Sequence, residues 1–251
     1  MTDTLTLLTN LMPIVAAPFI GSFLATAALR STTAQPVVRG RSACPACHQP
    51  LGPMDLVPVL SWLATRGHCR HCRARVSIFY PVVEIAALTV AVWAALWLDG
   101  PRLWIACGLG WLLLLLAAID WRHRLLPDVL TMSLGVYGLL VAVVDGRVTE
   151  AVIGAAVGLL AFVAVRWLYA RIRRREGLGL GDVKLIAAAG AWVGWSGLPS
   201  LVLIASLAAL AVVGVGAADG RRARADDAVP FGSYLALGCW IVWLHGPLRF
   251  A

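Results

Sequence analysis

Two aspartates of this sequence, Asp120 and Asp182, stand at the edges of long apolar segments. A charge in such a place is costly unless the protein uses it. If the two carboxylates face each other, they cannot both ionise cheaply, so one of them keeps a proton. The ionised partner then takes a proton from water while the protonated one gives its proton to the developing or departing oxygen. This chemistry predicts hydrolysis of a peptide bond, with Asp120 and Asp182 as the catalytic pair.

The glycines of the stretch that ends at Asp182, GLGLGD, admit two interpretations. Gly179 and Gly181 lack a Cβ atom, so a substrate strand could approach the backbone closely there. Alternatively, the stretch is only a loop that leads into a helix, with Asp182 as the N-cap. A phosphate-binding function is disfavoured, because the G-x-G-x-x-G pattern is incomplete and no G-K-[S/T] follows.

Three further residues near the same edges are candidates for supporting roles. Asp128 begins an apolar segment directly after Leu126-Pro127, where an acid suits the start of a helix. Glu84 lies one turn into another apolar segment, and Lys184 follows Asp182 closely. Glu84 or Asp128 could meet the basic residues of a substrate.

Two C-x2-C pairs, Cys44-Pro-Ala-Cys47 and Cys69-Arg-His-Cys72, are separated by 21 residues. Each pair presents two thiolates on one turn, and the two pairs together complete a tetrahedron around Zn²⁺. Four sulfurs leave no open position, so the spacing predicts a structural zinc site. Two disulfides are the alternative, but disulfides are rare in a reducing compartment. Nearby His48, His68 and His71 could replace a thiolate, although the four cysteines already close the site.

The elements that must position these residues are membrane helices. The chain of 251 residues is 60% hydrophobic and only 14% charged, with a mean hydropathy of +0.83, which leaves too little polar surface for a soluble domain. Eight apolar runs approach the length that a membrane helix needs; they cover 8–29, 79–98, 102–120, 127–144, 150–170, 183–198, 199–218 and 231–247. The sequence therefore predicts an all-α polytopic membrane protein with about eight transmembrane helices. Its predicted parts are a first transmembrane helix in 1–29, a cytoplasmic zinc-ribbon-like module in 30–78 and a seven-helix core in 79–251.

The basic residues predict how these helices are oriented. With the N-terminus outside, 18 of the 21 Lys and Arg residues fall on the inside. Odd-numbered spans then end inside and even-numbered spans begin there, so Asp120 and Asp182 lie at the same depth, at the cytoplasmic edge. Topology and anionic lipid headgroups account for the net charge of +8. Membrane lipid is therefore an expected partner, and nucleic acid is not.

In combination, these features resemble the type IV prepilin peptidases, also called leader peptidase/N-methyltransferases, of the GxGD class of membrane aspartic proteases. The likeness runs over almost the whole chain and consists of short motifs in a fixed order; they are Gly21-Ser-Phe-Leu24, the two cysteine pairs, Tyr80-Pro-Val-Val-Glu84, Asp120, Leu126-Pro-Asp128, Gly179-Leu-Gly-Asp182, Lys184 and Pro230-Phe-Gly232. Two positions depart from the family pattern. The family usually has Asn where this chain has Ala25, and Arg where it has Phe79.

The resemblance implies an enzyme of the bacterial inner membrane that removes the basic leader from type IV pilin or pseudopilin precursors at the cytoplasmic face. It implies that Asp120 and Asp182 are the catalytic residues and that Asp128 is not one of that pair. Members with the cysteine module also methylate the new N-terminus. The cofactors expected from the resemblance are therefore a structural Zn²⁺ and S-adenosylmethionine.

Two other classes of protein fit the composition less well. A proton-coupled transporter needs acids near the middle of the membrane and often carries an inverted repeat, whereas these acids lie at the edge and no repeat is visible. A non-enzymatic zinc scaffold in a secretion assembly would leave the two edge aspartates without a use. A membrane peptidase is the expected function.

Overall fold

Helices form nearly all the regular structure in the residues described by this computed structural model, which are 2–32, 42–174, 177–218 and 229–248. A short 3-10 helix, Pro53–Leu56, lies between the two cysteine pairs. The α-helices of this part of the chain are α1 (Thr2–Arg30), α2 (Leu60–Ala64), α3 (Phe79–Ala95), α4 (Gly100–His123), α5 (Asp128–Val144), α6 (Val148–Arg173), α7 (Leu180–Ala218) and α8 (Phe231–His245). The prediction of an all-α protein is confirmed.

Four of the helical segments are long and apolar enough to cross a membrane; they are Leu7–Arg30, Gly100–His123, Val148–Arg173 and Leu180–Gly216. Helices α3, α5 and α8 are also apolar but shorter. Many large apolar side chains on these helices are exposed, as expected where lipid takes the place of water. The protein is therefore a multi-pass membrane protein, as the sequence predicts.

Helix α7 contains the two apolar runs that the sequence predicts as separate spans. Its backbone leaves the helical region at Gly194, with φ 68° and ψ 175°, so α7 is two helices joined at a kink. Counted in this way, the described residues contain the eight apolar helices that were expected. The predicted boundary between 198 and 199 was wrong, because the break lies earlier, at a glycine that can adopt positive φ.

The chain divides into two compact units, residues 1–118 and 119–251, with the boundary inside α4. In unit 1, α1 packs against α3 so closely that a methyl group added at Gly21 would lie 2.6 Å from Cα of Glu84. The predicted division into 1–29, 30–78 and 79–251 stays a prediction. Three of the arginines that set the predicted orientation lie in 219–228, outside the described residues.

In unit 2, glycines bring α6 and α7 into backbone contact. A methyl group added at Gly154 would lie 2.2 Å from the carbonyl oxygen of Gly190, and one added at Gly158 would lie 2.8 Å from that of Ile186. Small residues at such crossings let membrane helices approach closely, and packing of this kind is a main source of their association. This contact packs α6 against α7 over the turns of α7 that contain Ile186 and Gly190.

We expect the substitution Gly154→Ala to destabilise the protein, because the added methyl group has to push the two backbones apart. Overpacking of this kind costs about 2 kcal/mol or more, which corresponds to a midpoint about 5 °C lower in a chain of this size. Thermal unfolding in one detergent measures the shift. The matched control is Gly214→Ala, since a methyl group there meets nothing within 4 Å. Equal midpoints for the two variants would contradict this account of the packing.

Candidate active site and metal centre

Asp120 lies near the end of α4 with a buried carboxylate, only 5% exposed. Its Oδ2 accepts two hydrogen bonds from Ser233, one from the backbone N–H at 2.8 Å and one from the hydroxyl at 3.1 Å. Ser233 belongs to the first turn of α8, and its N–H also donates to the carbonyl of Pro230 at 3.2 Å. The shorter bond goes to the carboxylate, so the start of α8 fixes the position of Asp120.

Asp182 lies in the first turn of α7, not at its N-cap. The helix begins at Leu180, so the N-cap position belongs to Gly179. The Asp182 carboxylate reaches back and accepts the backbone N–H of Gly179. This bond is half of a capping box, in which a side chain in the first turn satisfies the N-cap amide. The helix-start interpretation of Asp182 thus describes its local structure, although the predicted N-cap position was wrong.

The two aspartates, 62 positions apart in the sequence, lie close enough for their carboxylates to repel each other electrostatically. Both belong to unit 2, and each is fixed by a backbone amide at the start of a helix. Such a pair can hold one proton between its two members. Two acids that share a proton can serve as the general acid and base of a hydrolysis that activates water, and the assignment of that role to Asp120 and Asp182 stays a prediction.

The glycines before Asp182 are packed against side chains of the chain itself. A methyl group at Gly177 would lie 2.3 Å from the ring of Tyr169, and one at Gly181 would lie 2.9 Å from Cβ of Leu126. At Gly179 the nearest atom is Oδ2 of Asp182, 3.3 Å away. The space beside Gly177 and Gly181 is thus occupied by side chains of the protein, and the approach of a substrate strand to Gly179 or Gly181 stays a prediction.

Asp128 and Lys184 form an ion pair that the sequence did not predict. Nζ of Lys184 lies 2.6 Å from Oδ1 of Asp128, and both side chains are substantially exposed. The pair joins the first turn of α5 to the second turn of α7, close to Asp182. Asp128 and Lys184 are 56 residues apart in the sequence, and nothing in that separation marks them as neighbours.

Glu84 belongs to unit 1 and to a different set of contacts. Its side chain is 5% exposed, and its Oε2 accepts the N–H of Val59 at 2.7 Å. Val59 has φ 59°, a conformation that is rare for a β-branched residue, so this bond helps to hold a strained turn of the cysteine module against α3. The supporting role predicted for Glu84, contact with the basic residues of a substrate, stays a prediction.

The two cysteine pairs adopt the same local structure. In each, the first cysteine donates its N–H to the carbonyl five residues later, and its own carbonyl accepts the N–H of the residue four positions later. The four bonds measure between 2.8 and 3.1 Å; they are Cys44 to Gln49, His48 to Cys44, Cys69 to Ala74 and Arg73 to Cys69. His48 and Arg73 both have positive φ, 57° and 60°. The two turns are thus structural repeats of one metal-binding knuckle.

The four sulfurs of Cys44, Cys47, Cys69 and Cys72 lie within 4.8 Å of one another. Those of Cys44 and Cys72 are 3.8 Å apart, which is about the separation of two sulfurs on a tetrahedral zinc ion with bonds of about 2.3 Å. The N–H groups of Cys47 and Ala46 lower the pKa of Cys44 to about 6, and those of Cys72 and His71 lower the pKa of Cys69, whereas burial and the three neighbouring thiols raise the pKa of Cys72 to about 11. Because metals bind the thiolate form, the cluster is suited to hold a metal ion.

The fold and these two sites define a multi-pass membrane protein with a paired-carboxylate site and a four-cysteine cluster. Residues 15–98 match the model of the bacterial peptidase A24 N-terminal domain, and residues 107–214 match that of the type IV leader peptidase family. A prepilin leader peptidase/N-methyltransferase of Aeromonas hydrophila is 41% identical over 209 residues, which cover 82% of this chain and 72% of the relative. The chain therefore belongs to the type IV leader peptidase family.

Other relatives carry the same name. The protein of Burkholderia pseudomallei is 45% identical over 202 residues, or 79% of this chain and 65% of the relative. That of Pseudomonas aeruginosa is 37% identical over 217 residues, or 84% of this chain and 73% of the relative. No solved structure shows a significant match to the chain. The resemblance inferred from the sequence motifs is confirmed.

Proposed function

We propose that this protein is a peptidase of the bacterial inner membrane that removes the basic leader from type IV pilin or pseudopilin precursors. The observation that carries the proposal is the carboxylate pair of unit 2, in which Asp120 and Asp182 come from two different helices and lie close enough to repel each other. The name that the relatives share supports the substrate class. The charge distribution along the sequence supports an N-terminus outside and a catalytic pair that faces the cytoplasm.

In the proposed mechanism, Asp120 and Asp182 share one proton. The ionised carboxylate takes a proton from a water molecule, whose oxygen attacks the carbonyl carbon of the leader's last peptide bond. The protonated carboxylate gives its proton to the carbonyl oxygen, which forms a tetrahedral gem-diol. The proton taken from water then passes to the amide nitrogen, one gem-diol hydroxyl returns its proton to the other carboxylate, and the C–N bond breaks to release a free amine and a carboxylic acid. Ser233 and the N–H of Gly179 hold the two acids in position throughout.

The proposal includes methylation of the new N-terminus, with S-adenosylmethionine as methyl donor. A cavity of about 150 Å³ in unit 1, between α1, α3 and the cysteine module, supports it. Its lining includes the Glu84 carboxylate, the Arg30 guanidinium, and the hydroxyls of Thr26 and Tyr80. Side chains of these types suit the ammonium, carboxylate and ribose of that donor, and a cavity of this volume would hold one part of it, since pockets for a whole ligand measure about 300–1,000 Å³. The cysteine cluster would hold a structural Zn²⁺ that stabilises one wall of the cavity and takes no part in the chemistry.

Mass spectrometry of a type IV pilin precursor tests this function. The precursor is co-expressed with the protein in a host that lacks its own leader peptidase, and its mass is compared with that from cells without the protein. We expect loss of the leader and an added CH2 unit of about 14 Da on the mature chain. Cleavage without the added mass would support the peptidase activity and contradict the methyltransferase activity. An intact precursor would contradict the proposal as a whole.

A further inference from the structure

We infer that Leu126 is a positioning residue for the carboxylate pair: its side chain is a spacer that sets the distance between the elements that carry Asp120 and Asp182. This inference rests on the proposed peptidase function. Leu126 lies in the short connection between α4 and α5. It carries no polar group in its side chain, so its contribution has to come from its shape and its contacts.

The Leu126 side chain lies between two glycines, each next to a residue of the site. A methyl group at Gly181, which precedes Asp182, would lie 2.9 Å from Cβ and 3.2 Å from Cδ1 of Leu126. A methyl group at Gly232, which precedes Ser233, would lie 2.8 Å from the same Cδ1 and 3.1 Å from Oδ2 of Asp120. One isobutyl group thus separates the start of α7 from the start of α8.

The backbone around Leu126 is held on both sides. On the α4 side, Arg124 has φ 55° and donates its N–H to the carbonyl of Asp120 at 2.8 Å. On the α5 side, the ion pair between Asp128 and Lys184 connects the segment to the N-terminal end of α7. The backbone that carries the Leu126 side chain is thus connected on one side to Asp120 and on the other to the helix of Asp182.

The separation of the two carboxylates matters because a hydrolysis of this kind depends on their geometry. Displacing a reacting group by 1 Å can reduce a rate by about 100-fold. Without the isobutyl group, the starts of α7 and α8 would move toward each other or leave a cavity between them. In either case the acids would bind and release protons at the wrong distance from the substrate. The change should therefore affect kcat much more than KM.

The decisive comparison is between Leu126→Ala and Leu125→Ala, two identical truncations at adjacent positions. Leu125 is 54% exposed and therefore serves as the matched control. With a purified precursor as substrate, we expect Leu126→Ala to lower kcat by about tenfold or more, with KM changed by less than about twofold. Leu125→Ala should leave both constants unchanged. The volume-conserving variant Leu126→Met should restore most of kcat.

A volume exchange tests the contact itself. Gly232→Ala alone adds a methyl group against Cδ1 of Leu126 and should lower kcat. In the double variant Gly232→Ala/Leu126→Ala, that methyl group occupies space that the truncation has freed. We therefore expect the double variant to be faster than the product of the two single effects predicts. Strictly multiplicative effects would show that the two residues act separately, and would overturn the inference.

Other outcomes are equally decisive. If Leu126→Ala behaves as Leu125→Ala does, or if it raises kcat by opening access to Asp120, Leu126 is not a spacer. If Leu126→Ala fails to accumulate in the membrane, Leu126→Val, which is shorter by a single carbon, replaces it and must show a smaller loss of kcat in the same direction. Failure of the wild-type protein to cleave any precursor would instead contradict the proposed function, and so the two failures are distinguishable.

Discussion

Replacing either Asp120 or Asp182 with Asn is expected to lower the rate of leader cleavage by about 10³-fold or more, within the range found for general acids and bases. Asn has nearly the same shape as Asp, so the hydrogen bonds from Ser233 to position 120 and from Gly179 to position 182 require only a reoriented amide. What the substitution removes is the ability to take up or release a proton. The rate is measured by following the precursor in membranes that contain equal amounts of each variant.

Asp145→Asn is the matched control for this prediction. Asp145 lies in the turn between α5 and α6 and interacts with Arg147 at 3.6 Å. The Asp145→Asn substitution makes the same chemical change without touching the carboxylate pair. The cleavage rate should therefore stay within about twofold of wild type, as is usual for a substitution away from the reacting groups. If Asp120→Asn or Asp182→Asn cleaves as fast as Asp145→Asn, that aspartate is not a member of the catalytic pair.

The second large effect concerns the metal. We expect the purified protein to contain about one zinc ion per chain, and the double substitution Cys44→Ser/Cys47→Ser to abolish that content. Within the described residues 42–78, the segment between α1 and α3 contains only short helices and few buried apolar side chains, so a structural metal is expected to supply much of its stability. Limited proteolysis should therefore cut this segment in the variant, or in wild-type protein treated with a chelator, well before it cuts the membrane helices.

Cys107→Ala provides the comparison, since Cys107 is fully buried in α4 and lies outside the four-cysteine cluster. This variant should keep its zinc and its resistance to protease. A wild-type preparation that holds no metal yet resists protease as fully as a zinc-loaded one would contradict the structural role. So would a Cys44→Ser/Cys47→Ser variant that binds zinc as strongly as Cys107→Ala does.

The sequence predicts those features that follow from periodicity and local spacing. Apolar runs predict the helices, and the distribution of arginines predicts that Asp120 and Asp182 lie at one depth. The two C-x2-C pairs predict the cysteine cluster, because each knuckle is a local turn whose geometry the spacing nearly determines. The positive φ of His48 and Arg73 was not predicted, since neither residue is a glycine and the hydrogen bonds of the knuckle impose that conformation.

The contacts between elements were the part that the sequence did not predict. Ser233 holds Asp120, and Leu126 lies against both Gly181 and Gly232, but each partner is far away in the chain. A glycine or serine at the start of a helix is too common to mark such a contact. The motif Pro230-Phe-Gly232 was the one available signal, because it puts a glycine directly before the residue that binds Asp120.

Helix α7 contains two residues that can interrupt a helix, Gly194 and Pro199. The predicted boundary between 198 and 199 would put Pro199 at the start of a helix, where its missing N–H has no helical partner to lose. In the structure the break lies at Gly194, and the next helix starts at Trp195. The carbonyl that loses its partner to Pro199 is then that of Trp195, at the very start of the new helix. The missing bond therefore interrupts a first turn and not the interior of a long helix.

The most direct test of the account compares the double variant Asp120→Asn/Asp182→Asn with the two single variants, using long incubations with a purified precursor. Residues that act as one unit lose nearly all their contribution when either is removed, so their effects are not additive. The account predicts that the double variant is no slower than the slower of the two single variants. Effects that multiply, or a single variant that keeps wild-type activity, would contradict the claim that Asp120 and Asp182 work on one shared proton.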